Sequence, residues 1–119
     1  MRKKRTIGLA AFVTLLLSSF PLSAETISWE DAAKYVGKEV TVTGTIVAAN
    51  NTGKVCFLNF DKDYKKSLSV VIFAGNFSKF PPDPEGYYLN KIVEVTGLIK
   101  DHNGTPEIII SGPDRIRIK

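Results

Sequence analysis

The chain has 119 residues, 44% of them hydrophobic, with a single cysteine and a single histidine. Those counts exclude an intramolecular disulfide and a thiolate zinc site. The formal charge of +4 resides in Arg2, Lys3, Lys4 and Arg5, so residues 25–119 carry 12 basic and 12 acidic side chains, a balance that excludes the long-range pull on phosphate of strongly basic nucleic-acid binders.

The four cations open a segment that continues as an apolar run from Ile7 to Leu17, a stretch with Pro21, and the small-residue site Leu22-Ser23-Ala24. This is the pattern of a bacterial secretory signal cleaved after Ala24. The run is shorter than the roughly 20 apolar residues of a spanning helix, and no cysteine near the cleavage site offers a lipid anchor. The organisation expected is therefore a signal peptide over 1–24 and one domain over 25–119, periplasmic or secreted, with no membrane attachment after cleavage.

The segment "ISWEDAAKYVGK" predicts a short helix with Ser28 as N-cap and Gly37 as terminator. Trp29, Ala32, Ala33 and Val36 would share its buried face. From Lys38 the apolar period becomes two, and Val40 to Val47 predicts a β-strand rich in β-branched residues. "AANNTGK" predicts a turn, in which Asn50, Asn51 and Gly53 tolerate left-handed angles. "KVCFLNF" predicts a second strand with Cys56 as a buried core residue, "DKDYKKS" a polar connection, and "LSVVIF" a third strand. In the connection "AGNFSKFPPDPEGYYLN", three prolines within four positions argue against regular structure, with one helical turn around Phe77 and Phe80 ahead of them. "KIVEVTGLIKDH" predicts a fourth strand, Asn103-Gly104 a tight hairpin, "EIIIS" a fifth strand, and "RIRI" a terminal extension.

The phrases "VTVTGTI" (40–46) and "VEVTGLI" (93–99) each hold a glycine at the fifth position. Two long strands, each bent at its glycine, would pair on both sides of a small barrel. The fold class expected is all-β: a five-stranded Greek-key barrel with a short N-terminal helix, the OB-fold. "GKVCFLNFDKDY", "LSVVIF" and "GTPEIIISGPDRIRI" resemble the bacterial exported OB-fold domains classed as nucleic-acid-binding, which also occur attached to some secreted nucleases. "FLNFDKDY" followed by "LSVVIF" is similar, more distantly, to the anticodon-binding OB domains of class II aminoacyl-tRNA synthetases. The resemblance implies binding without catalysis, because in the nuclease-associated relatives the chemistry belongs to another domain.

OB barrels bind ligands on the outer face of strands two and three, between the loops after strands one and four. Alternation places Leu58, Phe60, Leu68, Val70 and Ile72 inside, and Phe57, Asn59, Ser69 and Val71 outside. Phe57 would stack on a base, which the synthetase resemblance also implies for this position. Asn59 and Ser69 would bond a base edge. Lys54, Lys62, Lys65 and Lys66 lie at the strand ends, beside Tyr64, and would contact phosphates, although Asp61 and Asp63 are interleaved with them. Lys100, His102 and Asn103 would form the opposite wall. His102 lacks an identifiable partner for base catalysis. "DKD" lacks the glycine and later acidic ligand of a calcium loop. No serine or cysteine has a paired base. No enzyme activity, metal or cofactor is therefore expected. The function expected is binding of single-stranded DNA, RNA or nucleotides. The alternative is a stress-associated periplasmic module that binds a protein or peptide on the same face, and the fold also admits an oligosaccharide.

Overall fold

The computed structural model describes residues 25–119, and the expected signal peptide lies outside them. β-branched alternation becomes eight strands: β1 (Thr26–Ser28), β2 (Glu39–Thr45), β3 (Ala48–Asn51), β4 (Val55–Asn59), β5 (Ser69–Phe73), β6 (Ile92–His102), β7 (Thr105–Ile109) and β8 (Ile116–Ile118). One α-helix, α1 (Pro84–Tyr88), lies between β5 and β6. The strand order is β1-β2-β6-β7-β5-β4-β3, with β8 also on β6.

Closure occurs at a dipeptide. Between β2 and β3 stand only Ile46 and Val47. The Ile46 N–H donates to the Lys91 carbonyl at 3.0 Å, while the Val47 N–H donates to the Asn59 carbonyl at 2.9 Å. One run of chain thus leaves β6 and joins β4, so the first and last barrel neighbours are two halves of a single strand. Counting β2 and β3 as one, with β4, β5, β6 and β7, gives the five-stranded OB-fold. The additions are β1, parallel to β2, and β8, antiparallel to β6.

The two glycine phrases pair with each other. Val40 stands opposite Gly97, Val42 opposite Val95, and Gly44 opposite Val93. Each glycine lies two residues before its strand changes partner: the first strand passes from β6 to β4 at Ile46 and Val47, and β6 begins to pair with β7 at Ile99. Both glycines also admit a neighbour. A Cβ at Gly44 would lie 2.6 Å from Trp29 Cδ1 and 2.8 Å from Phe60 Cδ1, and one at Gly97 would lie 2.7 Å from Ile108 Cγ2. Beneath them sits the core, in which Val42, Ile46, Leu58, Ile72, Val95, Ile99 and Ile108 are fully buried. Cys56 is buried among them, as expected, and burial pushes its thiol pKa up from 9.0 to about 11.

Three local expectations are corrected. Residues Trp29–Tyr35 form a 3-10 helix, capped by the Ser28 side chain on the Glu30 N–H. Three residues per turn place Trp29, Ala32 and Tyr35 on the inner face, so Ala33 and Val36 are exposed. Trp29 stacks on Phe60 with ring centroids 6.1 Å apart. The expected turn "AANNTGK" is mostly strand: Asn50 pairs with Phe57 and Asn51 with Cys56. Only Gly53 takes a positive φ, of 90°, and the Asn51 side chain accepts its N–H. Finally, the proline stretch does contain a helix, because Pro84 opens α1, where its missing N–H costs nothing. Asn51 Nδ2 donates to Glu85 Oε1 at 2.9 Å, tying α1 to β3, and this bond is the main reason the Glu85 carboxyl lies below its usual range. Asn103 and Gly104 both have positive φ, 52° and 86°, as a tight hairpin requires.

Candidate binding groove

The outer face of β4, β5, β6 and β7 is organised in rows across the strands. Register places Ala48, Asn59, Ser69, Glu107 and Lys100 in one row. The next row is Asn50, Phe57, Val71 and Ile109. A third begins with Val55 and Phe73. The inside and outside faces are as alternation predicts: Leu58, Phe60, Leu68, Val70 and Ile72 are all buried in the core.

An open groove of about 820 Å³ runs over the polar row, within the range of about 300–1,000 Å³ typical of small-ligand clefts. Its floor carries the partly buried Phe57 ring beside Asn59 and Ser69, each only 9% exposed. Ser69 Oγ donates to Asn59 Oδ1 at 2.6 Å, a short bond that fixes both side chains. The Asn59 amide nitrogen makes no hydrogen bond among the described residues, so this buried side chain brings an unused donor to the groove.

One wall is the β4–β5 connection, which contributes Lys62, Tyr64 and Lys65. Local hydrogen bonds shape it: Asp61 Oδ1 accepts the Asp63 N–H at 2.8 Å, and Asp63 Oδ1 accepts the Lys65 N–H at 3.1 Å. Below, the buried Ser67 hydroxyl accepts the Phe60 N–H at 2.8 Å and donates to the Leu68 carbonyl. The interleaved aspartates thus build the loop that presents the lysines. The opposite wall is the β6–β7 hairpin, with His102, Asn103 and Thr105.

Of the candidate residues, Phe57, Asn59, Ser69, Tyr64, Lys65 and His102 are brought together in the groove, along with Lys62 and Asn103. Lys54, Lys66, Lys100 and Val71 do not line it. Lys54 stands at the far end of β4, and Lys100 lies one strand beyond Glu107. Val71 is on the outer face but 2% exposed, enclosed by its neighbours. Six lining residues were not among the candidates: Ala48, Ala49, Asn50, Thr105, Pro106 and Glu107. The outward parity of Glu107 on β7 was the available signal for it. Glu107 makes no ion pair among the described residues, so the groove combines two lysines with one unpaired carboxylate. Among the described residues no three His, Cys, Asp or Glu side chains come together to hold a metal ion.

No protein-family model and no curated protein matches the chain. Solved structures do. An asparaginyl-tRNA synthetase from Entamoeba histolytica, in complex with asparaginyl-adenylate, superposes with a TM-score of 0.57 at 19% identity, covering 83% of this chain and 24% of that one. The asparaginyl-tRNA synthetase from Pyrococcus horikoshii gives 0.54 at 17% identity, over 80% of this chain and 23% of that one. An OBody bound to hen egg-white lysozyme gives 0.51 at 21% identity, over 84% of this chain and 96% of that one. At such identities the likeness establishes the OB-fold. The chain spans about a quarter of the synthetases it matches.

Proposed function

We propose that the protein is an exported, non-catalytic OB-fold module that binds single-stranded nucleic acid or nucleotides in the groove over Asn59 and Ser69. The reading rests chiefly on one observation: the Phe57 ring lies beside a buried amide that has a free donor. A base stacked on Phe57 would offer its edge to Asn59, while Lys62 and Lys65 would meet the phosphates. Tyr64, 60% exposed on the wall, supplies a second ring within reach of a ligand. The synthetase neighbours support a nucleic-acid ligand, and the resemblance of "FLNFDKDY" to their anticodon-binding domains points the same way. Export is proposed from the signal-peptide pattern of residues 1–24, in keeping with the resemblance to exported OB-fold domains. Titration of a labelled oligonucleotide at low salt, with Phe57→Leu as the comparison, tests the reading.

A second reading has its own support. The balanced charge and the unpaired Glu107 weaken the pull on phosphate, and an OB scaffold bound to a protein is among the structural neighbours. On that reading the same face takes a periplasmic protein or peptide. Recovery of a partner from periplasmic extract, lost with Phe57→Leu, would favour it.

A further inference from the structure

Phe73 lies outside the groove, on the same outer face as Phe57. It terminates β5 and is 46% exposed. Register sets Phe57 opposite Val71 and Val55 opposite Phe73, so the two phenylalanines are diagonal neighbours on adjacent strands. Diagonal positions on one face are about 7–8 Å apart. Stacked bases of one strand rise about 3.4 Å per nucleotide, so a strand splayed to roughly twice that rise matches the spacing of the rings. Neither ring is paired with another aromatic ring among the described residues, where the close pairs are Trp29 with Phe60 and Tyr87 with Tyr88. The position of Phe73 is held by the backbone, because the Ala74 N–H donates to the Lys54 carbonyl at 2.9 Å.

We propose that Phe73 is a second base-stacking surface, so that the ligand is a strand of at least two nucleotides running along β4 and β5 from the Lys62–Lys65 wall, over Phe57, to Phe73. This rests on the nucleic-acid reading above. The distribution of charge suits a strand in that direction. Lys62 and Lys65 lie at one end of β4 and Lys54 at the other, while the surface between them, Val55, Phe57, Val71 and Phe73, is uncharged. Phosphates would meet cations at both ends and bases would meet rings in the middle. It also gives Lys54 a role that the groove alone does not.

The test is a low-salt titration of a labelled hexanucleotide against the wild-type protein and the variants Phe57→Leu, Phe73→Leu and Phe73→Tyr. Leucine keeps apolar cover at the strand end and removes the π-face; tyrosine keeps the face. The expected result is about tenfold weaker binding for Phe73→Leu, the order expected for one stacking contact, with Phe73→Tyr close to wild type. Wild-type affinity in Phe73→Leu alongside a loss in Phe57→Leu would overturn this inference and leave the nucleic-acid reading standing. Equal losses in Phe73→Leu and Phe73→Tyr would also overturn it, since the ring face would then be irrelevant. Absence of binding by the wild-type protein would overturn both.

Discussion

Val42 faces Val95 across the ladder between β2 and β6, and both are fully buried. The two glycine phrases are disposed symmetrically about this pair, each glycine opposite the first valine of the other phrase. Repetition of the phrase is therefore a property of a pairing: two strands with like demands, each crossed by a bulky side chain that a glycine must admit.

Gly44→Ala should destabilise the fold by about 1–3 kcal/mol, the usual cost of overpacking a core. The added methyl would meet the edges of two stacked rings, Trp29 and Phe60, which are too rigid to yield cheaply. Gly97→Ala, against Ile108 Cγ2, should cost a similar amount. Denaturant midpoints measured at constant m-value would check both, and an unshifted midpoint for Gly44→Ala would contradict the packing described.

How much of the structure is legible in the sequence depends on which force decides each segment. Where burial decides, period-two alternation was enough: it separated the inner Leu58 and Phe60 from the outer Phe57 and Asn59. Where local chemistry competes with the ladder, it was not. Asn50 and Asn51 read as turn residues, yet cross-strand pairing recruits them into β3. Pro84 reads as a breaker, yet at a first helical position it is a starter. Trp29–Tyr35 is helical with a period of three, which moved the buried face from Val36 to Tyr35. The groove's floor was legible by parity, but Glu107 depends on the parallel pairing of β5 with β7, which joins segments far apart in sequence.

The Asn59–Ser69 bond should behave as a unit. Ser69→Ala leaves the buried Asn59 oxygen without its donor, at a cost of about 1–3 kcal/mol. In a double-mutant cycle with Asn59→Ala the two losses should fall well short of additive. Strict additivity, read from thermal or denaturant unfolding, would mean the bond contributes nothing.

Cys56 predicts an alkaline limb in stability. Its thiol pKa is raised by burial to about 11 from 9.0 in the unfolded chain. Below pH ~9 both states hold the proton and the stability is fully present. Between 9 and about 11 only the unfolded chain ionises, and stability on the order of 1–3 kcal/mol is lost. Tyr88, also raised by burial, adds to the decline in the same direction. Cys56→Ala should flatten the limb between these pH values, and an identical profile would contradict the assignment. At neutral pH a thiol reagent should label Cys56 only as the protein unfolds.

Binding of an oligonucleotide in the groove should depend on salt only modestly. Two lysines, Lys62 and Lys65, line it. At about −0.7 per phosphate neutralised on a single strand, log K against log salt should have a slope near −1.4, or near −2 if Lys54 also engages. A slope of about −3 or steeper would bring Lys66 and Lys100 into the interface, contrary to their placement outside it.

The most direct measurement is equilibrium titration of the purified protein with a fluorescent single-stranded oligonucleotide at low salt, run in parallel with Phe57→Leu. A groove that stacks a base on Phe57 should give saturable binding that weakens about tenfold or more when the ring is replaced. Failure to bind at tens of micromolar, or equal affinity for wild type and Phe57→Leu, would contradict that stacking.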